Sequence, residues 1–295
     1  MRRGLVIGCG GTLGAAWTLG TLIAVEQALD WDVRDADVLV GTSAGAEFVT
    51  ALACGLGTAD LLDAWLGRPG AHPALVAHLA EAPPPLPPLP APRLTAPGLA
   101  RRRDLPWPTR LSGLAPVGRG DARRFDTLAA RLCPGGWLPH PAAWLVAVDA
   151  TAGERVAFGS PGAPEATVGE ALRASWAIPG WMPPVDLRGR RYLDGGAYSP
   201  TSADLVSTAD LDHVVVLAPM AAGRDPLRRY MAARLDREED ALRARGVSVL
   251  RLAPSPEDLA AIGPNPMARR RALTVLETAL RTGRRALPLP AKESV

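Results

Sequence analysis

Lysine is all but absent from this 295-residue chain. Lys292 is the only one, so the net charge of +3 is carried by arginine. Arginine suits carboxylate and phosphate partners, but so small a basic excess gives no argument for nucleic acid, and none is expected as a partner. Cysteine is scarce too. Cys9, Cys54 and Cys133 are scattered and odd in number, which supplies neither a disulfide framework nor metal-ligand spacing. The expectation is therefore a reducing compartment with no metal and no cofactor. No apolar run approaches the ~18 residues of a membrane-spanning helix. Only five residues separate Arg3 from Cys9, too few for a secretory apolar segment. A cytoplasmic protein is expected, touching membrane at its periphery if at all.

What is present is a large apolar fraction, 47%, enough to bury a substantial core. Continuous apolar strands at Leu5–Ile7, Val38–Val40, Trp144–Asp149, His213–Ala218 and Val247–Leu252 alternate with helical periodicity at 15–29, 123–132, 168–177, 227–245 and 267–280. Such alternation predicts a mainly parallel sheet covered by helices on both faces. Shorter strands are expected at Arg155–Phe158 and Arg190–Leu193. We expect a single domain over 1–295, with a helical and strand extension over 220–295. From Leu66 to about Gly120 the periodicity fails. Pro83 to Pro92 favours polyproline II, so 67–120 reads as a proline-rich insertion or lid without regular structure. Arg101, Arg102, Arg103 and Trp107 in that region read as a solvated face or a contact with lipid headgroups.

The organising stretch is Val38-Leu39-Val40-Gly41-Thr42-Ser43-Ala44-Gly45-Ala46. A strand runs directly into a helix, with a serine at the junction and Gly41 and Gly45 two residues to either side. This is the layout of a nucleophile elbow, whose tight turn demands small neighbours. Upstream, the first strand runs into Gly8-Cys9-Gly10-Gly11-Thr12-Leu13-Gly14, a glycine-rich loop whose N–H groups face an anion. The dinucleotide version of that loop fails. Leu13 stands where a third glycine is needed, and Gly41-Thr42-Ser43 replaces the acid expected after the second strand. An oxyanion served by Ser43 remains.

A serine hydroxyl needs a base, and only four histidines are present. His72, His78 and His140 lie in irregular surroundings and read as solvated surface groups. Ser43, Asp194 and His213 follow the triad order of α/β-hydrolases. His213, however, opens a strand rather than a loop, and the serine follows only the second strand.

Four segments carry a resemblance: Gly10-Gly11-Thr12-Leu13-Gly14, Gly41-Thr42-Ser43-Ala44-Gly45, Ala174-Ser175-Trp176-Ala177-Ile178-Pro179-Gly180 and Asp194-Gly195-Gly196. In order and approximate spacing they resemble the patatin-like phospholipases, over roughly Arg3 to Pro219 apart from the insertion. The resemblance implies a three-layer α/β/α sandwich and a metal-free serine–aspartate hydrolase of acyl lipids. Ser43 would be the nucleophile and Asp194 the base. The N–H groups of Gly10, Gly11 and Thr12 would form the oxyanion hole, with Gly195 and Gly196 letting the turn bring the carboxylate close. Two departures stand out. Leu13 replaces a basic residue found in many members, and Ala197-Tyr198-Ser199-Pro200-Thr201 replaces an asparagine and proline. The expected partner is an acyl lipid or ester substrate, and oligomeric state is left open. The alternative is a catalytically silent lipid-binding or regulatory protein on the same scaffold.

Overall fold

The computed structural model describes residues 1–287; positions 288–295 of the expected C-terminal extension lie outside them. β1 (Arg3–Ile7) feeds α1 (Gly11–Leu29), β2 (Val38–Thr42) feeds α2 (Ala44–Ala53), and α3 (Thr58–Leu66) follows. α1 begins at Gly11 instead of Ala15, so the glycine run forms its first turn, where N–H groups have no helical acceptor.

The expectation of irregular chain between Leu66 and Gly120 is overturned. α4 (Pro73–Ala80), β3 (Ala91–Leu94), α5 (Gly98–Arg101), α6 (Trp107–Leu114) and β4 (Pro116–Val117) lie there, with β3 and β4 paired in an antiparallel ribbon. Proline is compatible with these helices because Pro73 and Pro108 occupy first turns, where a missing N–H costs no helical bond. None of the elements exceeds eight residues, which is too short to leave a periodic signature. The proline run itself forms no regular element before Ala91.

Next come α7 (Arg123–Leu132), β5 (Ala143–Asp149), β6 (Glu154–Phe158), α8 (Val168–Ser175), β7 (Val185–Leu187) and β8 (Arg190–Asp194). The chain then runs through β9 (His213–Leu217), α9 (Pro226–Arg243), β10 (Ser248–Leu252), α10 (Pro256–Ile262) and α11 (Ala272–Ala286). The sheet has the order β10-β9-β1-β2-β5-β8-β7, with β6 also paired to β5. Its first five strands are parallel, and β6, β7 and β8 are antiparallel. Along each strand successive side chains alternate between faces. Leu5, Ile7, Leu145 and Leu217 pack with residues of α1, α2, α7, α8 and α11, whereas Val6, Val40, Val146 and Val216 pack with Leu235 and Leu242 of α9. The result is the expected mainly parallel sheet with helices on both faces.

The C-terminal segment is clamped to the start of the chain. α11 approaches α1 closely because glycines face it: a Cβ on Gly20 would lie 2.8 Å from Ala279, and one on Gly283 would lie 2.9 Å from Ala24. The helix expected from Met267 begins only at Ala272. Met267 lies in a loop, its N–H donating to Asn265 Oδ1 at 2.9 Å, while the neighbouring Pro266 carbonyl accepts from Leu13 N–H at 2.7 Å.

Candidate active site

The register of β5 determines where the site forms. β6 occupies one edge of β5 from Leu145 to Asp149. On the opposite edge β2 pairs in parallel as far as Thr42 opposite Val146, and β8 pairs antiparallel as far as Asp194 opposite Ala147. The two strands thus run head to head along one edge and meet at adjacent residues. Neither can continue, so each turns away from the sheet where they meet.

β2 turns at Ser43, whose φ of 56° and ψ of −120° are unusual for a residue with a side chain. α2 then folds back so tightly that a Cβ on Gly45 would lie 2.0 Å from the Ile7 carbonyl oxygen, and one on Gly41 would lie 2.5 Å from that of Gly45. In the β2–β5 ladder Leu39 N–H donates to Ala142 O at 2.8 Å. Stepping by twos, as a parallel ladder does, Ser43 N–H would donate to Val146 O. Instead the Ser175 hydroxyl is interposed: it accepts from Ser43 N–H at 2.8 Å and donates to Val146 O at 2.7 Å. Ser175 is wholly buried and prolongs the ladder by one relay. Within the motif that the sequence singles out, nothing signals this role for the hydroxyl.

β8 turns at Asp194 into a short 3-10 turn over Gly195–Ala197. Gly195 lies against the end of β2, where a Cβ would sit 2.7 Å from Val146 O and 2.9 Å from Thr42 Cγ2. Asp194 N–H donates to Ala177 O at 3.0 Å, and Asp194 Oδ1 accepts from Gly196 N–H at 2.7 Å. Downstream the turn is anchored by Glu238, which accepts from the Ser199 hydroxyl at 2.5 Å, the Thr201 hydroxyl at 2.8 Å and Ala203 N–H at 2.9 Å. Glu238 is 1% exposed, and its place seven residues after Met231 and three after Leu235 puts it on the buried face of α9. That spacing was the available signal for a buried carboxylate.

Asp194 is buried too, and burial pushes its carboxyl up to about 7, with the Ser43 hydroxyl and Gly196 N–H pulling the other way. A carboxylate titrating near neutrality beside a serine hydroxyl is able to take the hydroxyl proton.

Both residues open into a cavity of about 290 Å³ that Gly10 and Gly11 also line. The N–H groups of Gly10, Gly11 and Thr12 donate to no acceptor among the described residues, whereas those of Cys9 and Leu13 are taken up by Pro200 and Pro266. Thr12 itself borders a different cavity, with Trp65, Leu79 and Arg269. The remaining walls of the Ser43 cavity are largely apolar, including Ile178, Trp181, Met220, Met231 and Met267.

The histidines stand elsewhere. His213 pairs with Arg3 at the start of β1, while Leu217 pairs with Ile7 at its end. It therefore lies a strand length, roughly 13 Å, from the edge where β1 and β2 end and Ser43 turns. His78 is buried rather than solvated, with Nε2 2.6 Å from Glu47 Oε2, and Glu47 Oε1 accepts from Arg124 at 2.8 Å. His140 is also partly buried, its Nε2 2.8 Å from Ala36 O. Burial and the nearby Asp194 push the Cys9 thiol up.

Among known proteins, the model of the patatin-like phospholipase family matches residues 121–206. That stretch holds Ser175 and Asp194 but not Ser43. The similarity expected from the four motifs is thereby found in the second half of the site. The crystal structure of VipD from Legionella pneumophila is similar to 97% of this chain, at 14% identity and a TM-score of 0.44; the chain spans 66% of that protein's length. No curated protein sequence matches.

Proposed function

With the patatin-like phospholipase match over residues 121–206 as premise, we propose that this chain is a serine hydrolase of acyl lipids or related esters. The observation that carries the reading is the meeting of β2 and β8 on one edge of β5, which brings Ser43 and a buried, neutral-titrating Asp194 into one apolar cavity.

Ionised Asp194 takes the proton of the Ser43 hydroxyl as its oxygen attacks the ester carbonyl. Ser43 is then the nucleophile of an elbow whose unusual backbone turns the chain out of the sheet. The oxyanion is received by the N–H groups at the start of α1, those of Gly10, Gly11 and Thr12, which no acceptor among the described residues engages. Collapse of the tetrahedral intermediate expels the alcohol, which takes its proton from Asp194, and leaves an acyl-serine. A water deprotonated by Asp194 then releases the fatty acid. The apolar walls of Ile178, Trp181 and Met231 suit an acyl chain. With backbone donors available, Leu13 need not supply a basic side chain.

A fluorophosphonate probe tests this. The folded protein becomes covalently labelled on Ser43, Ser43→Ala does not, and Asp194→Asn labels far more slowly. Absence of labelling on the folded wild type would favour a silent lipid-binding protein. Mass spectrometry of products from a panel of phospholipids, lysophospholipids and simple esters then identifies the substrate.

A further inference from the structure

We propose that the cavity mouth is a docking face for an anionic lipid bilayer, with α6 as its main element. α6 has two functional faces. Pro108 and Ser112 line the cavity that holds Ser43. On the outer face Trp107, Leu111 and Leu114, spaced i, i+4, i+7, form one stripe that is 44%, 54% and 45% exposed. A surface helix ordinarily turns its apolar stripe inward; α6 instead buries Thr109, Ser112 and Gly113.

The stripe continues onto α9. The Trp107 ring meets the Tyr230 ring edge-on at 5.8 Å. Leu227, one turn before Tyr230, both lines the cavity and stands 38% exposed. Unpaired arginines lie close to these residues in the chain. Arg102 pairs with Asp104 and Arg228 with Asp225. Arg101 at the end of α5, Arg103 just beyond it, and Arg224 and Arg229 around Leu227 have no ion-pair partner among the described residues and are exposed.

An apolar rim with an aromatic residue, flanked by unpaired cations, is the chemistry that a membrane interface with anionic headgroups accepts. It is less suited to a second copy of the chain, which would set these cations against one another. The orientation gives the patch a use only if the cavity takes acyl chains, so the inference rests on the proposed hydrolase; its test does not.

The full chain carrying Ser43→Ala, which leaves lipid intact, is co-sedimented with phosphatidylcholine vesicles with and without phosphatidylglycerol. It binds the anionic vesicles, less so at high salt. Leu111→Asp in that background, at an outward position that leaves the melting curve unchanged, binds about tenfold more weakly or less, since an apolar contact is replaced by a charge. Brominated acyl chains quench emission in the Ser43→Ala protein, and this quenching is lost in Trp107→Phe. Leu111→Asp alone still turns over a soluble short-chain ester at the wild-type rate. The docking face is refuted by absence of vesicle binding, by equal binding of Leu111→Asp, or by a dimer that Leu111→Asp dissociates. Labelling of Ser43 by a fluorophosphonate reports separately on the hydrolase.

Discussion

Thr42 and Asp194 end strands that run towards each other along one edge of β5, and they pair with its adjacent residues Val146 and Ala147. A sheet edge holds one partner per position, so the chain has to leave the sheet at both ends of this junction. Ser43 and Asp194 then open into one cavity because two regular strands collide. Placement by strands is more exact than placement by loops. The flanking glycines follow from the same crowding, as Gly195 shows by its contact with both Thr42 and Val146.

The Ser175 relay yields the first prediction. Ser175→Ala leaves Ser43 N–H and Val146 O without their buried partner, costing about 1–3 kcal/mol, which a lowered denaturation midpoint records. The turn at Ser43 also loosens. The fluorophosphonate labelling rate and kcat therefore fall together, by about tenfold or more, with KM little changed. Ser175→Cys, which keeps a weak donor and acceptor in place, recovers part of the rate. If Ser175→Ala loses stability but labels at the wild-type rate, the hydroxyl supports only the fold.

The Asp194 carboxyl, raised to about 7, makes two claims about pH. As a base it has to be ionised, so kcat/KM rises with pH and levels above an apparent value near 7. In stability the sign is opposite. The folded value exceeds the ordinary 3.8, so the contribution is fully present below pH 3.8 and is lost as pH rises through 7. Asp194→Asn, uncharged at every pH, escapes that loss while retaining an oxygen for Gly196 N–H. Its melting temperature should exceed that of the wild type by a margin that grows from pH 4 to pH 7, worth on the order of 4 kcal/mol at the plateau. A margin that is flat with pH would mean that Asp194 is not the buried titrating group.

Much of the candidate site's backbone was legible in sequence because it depends on local pattern. The strand–serine–helix junction at Ser43, the glycine run at Gly10 and the turn at Asp194 each show their backbone needs in small residues. What was hidden depends on contacts distant in sequence. Ser175 looks like any serine at the end of a helix until Val146 is placed beside it. Glu47, His78 and Arg124 come from three different helices, and their partnership has no periodic trace. α4 to α6 escaped because they are short and start on or beside prolines, which dominate a composition-based reading of that region.

His213 separates the proposed dyad from a triad. Standing at the opposite end of the sheet from Ser43, with burial and the nearby Arg3 pushing its pKa down, it is neutral at pH 7 and has no path to the hydroxyl. His213→Ala leaves ester turnover and the pH profile unchanged to within about twofold, whereas Asp194→Asn removes nearly all turnover. A dead His213 variant that remains folded would require a different base.

Beneath α2, the helix that follows Ser43, lies the last prediction. Glu47 is one helical turn beyond Ser43 and is held between Arg124 at 2.8 Å and His78 at 2.6 Å, while the Arg124 guanidinium also lies over the Phe125 and Trp176 rings. Burial pushes the Glu47 carboxyl up, but Arg124 and His78 together hold it below the ordinary carboxylate range. Its stabilisation is therefore present above pH 4.5, the ordinary value, and is lost as pH falls through the lower folded one. Arg124→Met removes the main countercharge and strands a largely buried carboxylate, at a cost of about 3–5 kcal/mol at pH 7. Adding Glu47→Gln to Arg124→Met removes that stranded charge, so the double variant recovers most of the loss and the cycle is strongly non-additive. Urea denaturation at pH 7 measures all four corners. Additive losses would mean that the two side chains stabilise the fold independently, and that the ion pair does not anchor α2 behind Ser43.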